Sequence, residues 1–74
     1  MSVLIRPNEA LRTFVGGKKE VEAEAGRTVR ATLALLGIPA DLVAVVVVYD
    51  EQLDKEYVLQ DGDRVRLLAV IGGG

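Results

Sequence analysis

The sequence contains no cysteine, no histidine and no tryptophan. Without thiols or imidazoles there is no thiol nucleophile, no zinc site of the usual Cys/His type, no iron–sulfur ligation and no histidine acid–base catalysis. Without cysteine there is also no disulfide staple, so a secreted mini-protein scaffold is not expected. The acids show no spacing that supports a carboxylate metal site, and no bound metal or other cofactor is expected. Positive charge is short as well: nine basic residues face eleven acidic ones, for a net charge of -2. Nucleic-acid modules are usually basic, and no strongly basic face is visible along the chain, so no nucleic-acid partner is expected. Long apolar runs are missing too. The longest, Leu42 to Val48, is far short of a membrane span, so no membrane partner is expected. The first residues, Met-Ser-Val-Leu-Ile-Arg-Pro, have no basic region ahead of an apolar one and do not resemble a signal peptide. The expected location is the cytoplasm.

What is present is aliphatic. Half of the 74 residues are hydrophobic, mostly valine and leucine. The aromatics are Phe14, Tyr49 and Tyr57 only. That is enough apolar material for one small domain, which buries about 60% of its unfolded-chain surface. Eight residues are glycine, and three of them sit together as Gly72, Gly73 and Gly74.

Local signals divide the chain. Val3 to Arg6 reads as a strand that Pro7 and Asn8 end. Leu11 to Val15 is open between a helical turn and an irregular crossing. Gly16-Gly17 marks a turn. Lys18 to Glu24 alternates charge with Val21 and Ala23, the pattern of a half-buried strand. Thr28 is a plausible N-cap, Val29, Leu33 and Leu36 recur at helical spacing, and Gly37 followed by Pro39 ends the helix. Ala44 to Tyr49, with four consecutive valines, reads as a strand covered on both faces. Asp50-Glu51-Gln52 reads as a turn, and Leu53 to Leu59 as the location of a short edge strand. Asp61-Gly62-Asp63 is a tight turn. Arg64 to Ile71 is a last strand with Val65, Leu67, Ala69 and Ile71 on one face and Arg66, Leu68 and Val70 on the other. The order predicts an α+β fold: a mixed sheet of four to five strands packed on one main helix, the β-grasp or ubiquitin-like arrangement. Residues 1–71 form the expected domain, and residues 72–74 a flexible glycine tail.

With these elements placed, the sequence resembles the small ubiquitin-like sulfur carriers. They include the small subunit of molybdopterin synthase, the thiamine-biosynthesis sulfur carrier and the carrier of a cysteine-synthesis route. The resemblance covers essentially the whole chain. Leu11-Arg12 followed by Gly16-Gly17-Lys18 is similar to the opening of the molybdopterin and cysteine-route carriers. Gly26-Arg27-Thr28-Val29, then Leu33, Leu36 and Gly37, resembles the start and end of the family's helix. Leu59 to Val65 resembles the turn before its last strand, and Gly73-Gly74 its diglycine end. Gly72 departs from it by making the tail a triple glycine.

The tail is the expected chemical site. Glycine has no Cβ, so an extended glycine end fits a narrow channel in another protein. Three extended residues reach roughly 10 Å. The resemblance implies that a ubiquitin-activating-type enzyme uses ATP to adenylate Gly74. Persulfide sulfur then gives a thiocarboxylate, which is handed to a sulfur-accepting biosynthetic enzyme of molybdopterin, cysteine or thiamine type. On that reading the protein is a co-substrate, or the non-catalytic small subunit of a synthase, and not itself an enzyme. Gly72 and Gly73 thread the tail. Arg66, Leu68 and Val70 form a partner-docking patch, with Leu4 and Arg6 beside them if the first and last strands pair. Two other readings stay open. One is a ubiquitin-like modifier joined through Gly74 to lysines. The other is a β-grasp binding module without acyl chemistry. Arg27 and Arg30 read as a solvated helix face, and Asp61 and Asp63 as turn residues.

Overall fold

The computed structural model describes residues 1–69. Strand β1, Ser2–Pro7, buries Val3, Ile5 and Pro7 on one side and turns Leu4 and Arg6 to the other. Pro7 occupies the last position of the strand, where no further ladder N–H is required of it. A 3₁₀ helix over Glu9–Val15 follows, resolving the ambiguous Leu11–Val15 segment and burying Leu11. Gly16 and Gly17 both have positive φ, which glycine adopts without a Cβ penalty. They turn the chain into β2, Val21–Glu24, which pairs antiparallel with β1.

Helix α1, Val29–Leu36, is held at both ends by bonds its sequence specifies. Thr28 Oγ1 accepts the Ala31 N–H at 3.1 Å. The N–H groups of Val29 and Arg30 donate to the carbonyls of Tyr57 and Lys55, so orphan donors of the first turn are satisfied from a distant loop. Gly37 stands at φ 78° and the Ile38 N–H returns to the Leu33 carbonyl, closing the carboxyl end. Val29, Thr32 and Leu33 face the sheet.

Strand β3, Val43–Val48, pairs with β4, Glu51–Leu53, and with β5, Arg64–Ala69. The sheet has five strands in the order β2-β1-β5-β3-β4, and only the β1–β5 pair is parallel. One face carries the core: Val3, Ile5, Val43, Val46, Val48, Val65 and Leu67 pack with Val29, Leu33, Ile38 and Leu59. The architecture is the expected α+β β-grasp arrangement, at the upper end of the four to five strands anticipated.

Three local expectations need correction. The valine strand is fully covered on one face only: Val45 and Val47 remain half-buried, because α1 packs on the opposite side of the sheet. The turn lies at Tyr49-Asp50 rather than Asp50-Glu51-Gln52. Both residues have positive φ, 53° and 62°, so Glu51 and Gln52 are already in β4. Residues 54–63 form a loop, in which Val58 makes an isolated bridge to Thr28. This loop meets the amino end of α1 instead of extending the sheet edge.

Candidate docking face beside the last strand

The β1–β5 pairing decides which predicted site residues meet. Leu4 stands opposite Arg64, and Arg6 opposite Arg66. On the other side of β5, Leu68 faces Val45 and Arg66 faces Val47. Leu4, Arg6, Arg66 and Leu68 therefore share the sheet face turned away from α1. The arginines are exposed and the leucines half-buried. Val45 and Val47 extend the apolar part of that face; sequence reading missed them because it counted both faces of β3 as core. Val70, Gly72, Gly73 and Gly74 lie outside the described residues.

The structure also assembles positive charge that is scattered in sequence. Arg6, Arg12, Lys19 and Arg66 line one hollow with Pro7, Asn8, Leu67 and Leu68. It sits where β1 and β5 end and the 3₁₀ helix begins. These cations gather here although the net charge of the sequence is -2. The Arg12 Nε–H donates to the Pro7 carbonyl at 3.3 Å, which fixes its guanidinium at the rim. Arg6 is paired with Glu20 at 3.4 Å on an exposed surface. Among the described residues, Arg12, Lys19 and Arg66 have no carboxylate within ion-pair distance. A second hollow, lined by Arg6, Glu20, Val47, Tyr49, Asp50, Arg64 and Arg66, adjoins the first. It brings in Tyr49, an exposed aromatic that the sequence did not single out.

The other candidates fall where the sequence left them. Arg27 pairs with Glu24 at 3.2 Å and Arg30 with Glu56 at 2.7 Å, both exposed. Such pairs add little stability. Asp61 accepts the Ser2 N–H, and Asp63 is buried and binds within its own loop. Among the described residues no group of acids is arranged to hold a metal. None of the helices described is long and apolar enough to cross a membrane.

Comparison with known proteins agrees with this architecture. In structure the chain is similar to SAMP1 from Haloferax volcanii, with a TM-score of 0.70 and 18% sequence identity over 100% of both chains. At that identity the likeness speaks for the fold. No match is found among curated protein sequences. A family model, the ThiS family, matches residues 5–74, nearly the full sequence and with it the glycine end. The chain therefore belongs to the ThiS family, a family of ubiquitin-like sulfur carriers.

Proposed function

We propose that the protein is a sulfur carrier whose Gly74 carboxylate is converted to a thiocarboxylate. The observation that carries this reading is the family match extending through Gly74. The placement of a mixed apolar and cationic face on the strand that leads to Gly74 supports it. The side chains include no thiol and no imidazole.

The chemistry takes place on a partner enzyme of the ubiquitin-activating type. A Gly74 carboxylate oxygen attacks the α-phosphorus of ATP and displaces pyrophosphate. The acyl-adenylate carbon is then attacked by the terminal sulfur of a persulfide, and AMP leaves. A thiol cleaves the resulting acyl disulfide at its S–S bond, giving the thiocarboxylate and a new disulfide. On a biosynthetic enzyme the thiocarboxylate sulfur attacks an electrophilic centre of the substrate. Water then hydrolyses the acyl–sulfur bond, which leaves the sulfur on the substrate and regenerates the carboxylate. The carrier contributes a carboxyl end unhindered by side chains and a face by which each partner positions it.

Intact mass after incubation with an activating enzyme, ATP and a sulfur donor tests this. The expected gain equals the replacement of one oxygen by one sulfur, and deletion of Gly74 abolishes it. An unchanged mass under conditions that consume ATP refutes the carrier reading. Conjugates joining Gly74 to lysines identify a protein modifier instead.

A further inference from the structure

We propose that the hollow formed by Arg6, Arg12, Lys19 and Arg66 is the seat for an acidic segment of the enzyme that works on the carboxyl end. The proposal rests on the carrier reading and adds the chemistry of the partner. Four cations from β1, the 3₁₀ helix, the β1–β2 connection and β5 converge on one hollow in a chain whose net charge is -2. Like charges repel, so gathering them raises the energy of the free protein unless an anion offsets it. Among the described residues only Arg6 of the four has a carboxylate partner, and that pair is exposed. An acidic peptide segment brings the carboxylates that these guanidinium forks lack.

The surroundings favour a short acidic segment over a nucleic acid. Glu20, Glu22 and Glu24 are all exposed along the β2 side. A polyanion running past the hollow meets these carboxylates, whereas a compact acidic segment fills the hollow and stops. The apolar neighbours Leu68 and Val45 adjoin it, so a partner with an acidic lip beside an apolar surface matches this face in charge and polarity. The hollow lies beside Leu67 and Leu68, near the end of β5. A partner held there sits beside the last described residues of β5.

Amide-resolved NMR titration of the full chain at low salt tests the seat, using hexaglutamate, inorganic phosphate and hexathymidylate as probes. Hexaglutamate is expected to shift the amides of residues 6–8, 12, 19 and 66–68. Added salt is expected to weaken the response, and the charge reversals Arg12→Glu and Arg66→Glu together to weaken binding by about tenfold or more. Unperturbed amides of the core strands in that double variant establish that it is folded. An equal or stronger response at these amides to hexathymidylate or to phosphate overturns the proposal, as does peptide binding that ignores the charge reversals. Failure of the two readings is separable. Wild-type protein that gains sulfur at Gly74 but binds no acidic peptide refutes the seat alone. Protein that binds the peptide yet never gains sulfur refutes the carrier chemistry alone.

Discussion

The Tyr57 hydroxyl donates a 2.7 Å hydrogen bond to Asp63 Oδ2, the same oxygen that accepts the Gln60 backbone N–H at 2.9 Å. Asp63 is nearly inaccessible, so one buried carboxylate ties Tyr57 and Gln60 to the end of the 54–63 loop. That loop supplies the Tyr57 and Lys55 carbonyls to the first turn of α1. Asp63 thereby couples the Asp61-Gly62 turn to the helix. Asp63→Ala leaves the hydroxyl and the amide without their acceptor. It is expected to lower stability by about 2 kcal/mol, read as a reduced urea midpoint at unchanged slope.

The same bond sets a response to alkali. Donation to Asp63, then burial, then the negative charge of Asp63 push the Tyr57 phenol up to about 12 from 10.0. The proton is therefore held more tightly in the folded than in the unfolded state. The contribution is fully present below pH 10 and is lost as the pH rises from 10 toward 12. Unfolding midpoints measured across that window should fall for the wild type. Tyr57→Phe should fall less steeply, and an equally steep decline would show that the Tyr57–Asp63 bond is not its source.

Tyr49 and Asp50 occupy a two-residue hairpin turn with φ of 53° and 62°, a conformation that suits Asn-Gly and strains a bulky side chain. Replacing the pair by Asn-Gly is expected to stabilise the protein by about 1 kcal/mol. Denaturant midpoints check this. A loss of stability would mean that the exposed Tyr49 ring makes contacts that outweigh the strain.

Leu68 and Val45 face each other on the outward side of the sheet, beside the cationic hollow. Leu68→Asp places a carboxylate at the centre of the proposed docking face. Activation of Gly74 is expected to require at least about tenfold more carrier, with the circular dichroism of the native fold retained. Near-normal activation kinetics would remove this face from the docking surface.

Thr28 both caps α1 through Oγ1 and gives its carbonyl to the Thr32 N–H and hydroxyl. Thr28→Ala removes the cap together with the γ-methyl and is expected to cost about 1 kcal/mol, whereas Thr28→Ser, which loses the methyl but keeps the hydroxyl, should be close to neutral. Thermal midpoints of the two variants distinguish capping from loss of the methyl group.

The helix was legible because its signals are local: a threonine cap, apolar residues at helical spacing, then Gly37 and Pro39. The alternation of Arg64 to Ala69 likewise showed which side chains share a face, since the strand period is fixed by backbone geometry. The turn before β4 was misplaced because Tyr49 carries no turn signature of its own. Its positive φ follows from the β3–β4 register, which no residue near it announces.

The sequence by itself determined the helix α1, the strand character of β1, β2, β3 and β5, the inward face of β5 and the lack of thiol and imidazole chemistry, because these depend on side-chain identity and short-range spacing. Only the tertiary structure decided the rest. It placed β1 parallel to β5, and so set Arg6 beside Arg66 from positions 60 residues apart. It left Val45 and Val47 of the valine strand half-buried, because the one α-helix among the described residues covers the other side. It also gathered four cations of an acidic protein into one hollow. Charge clustering across a sheet is a consequence of strand order, and strand order is set by the burial of the whole core rather than by any one segment.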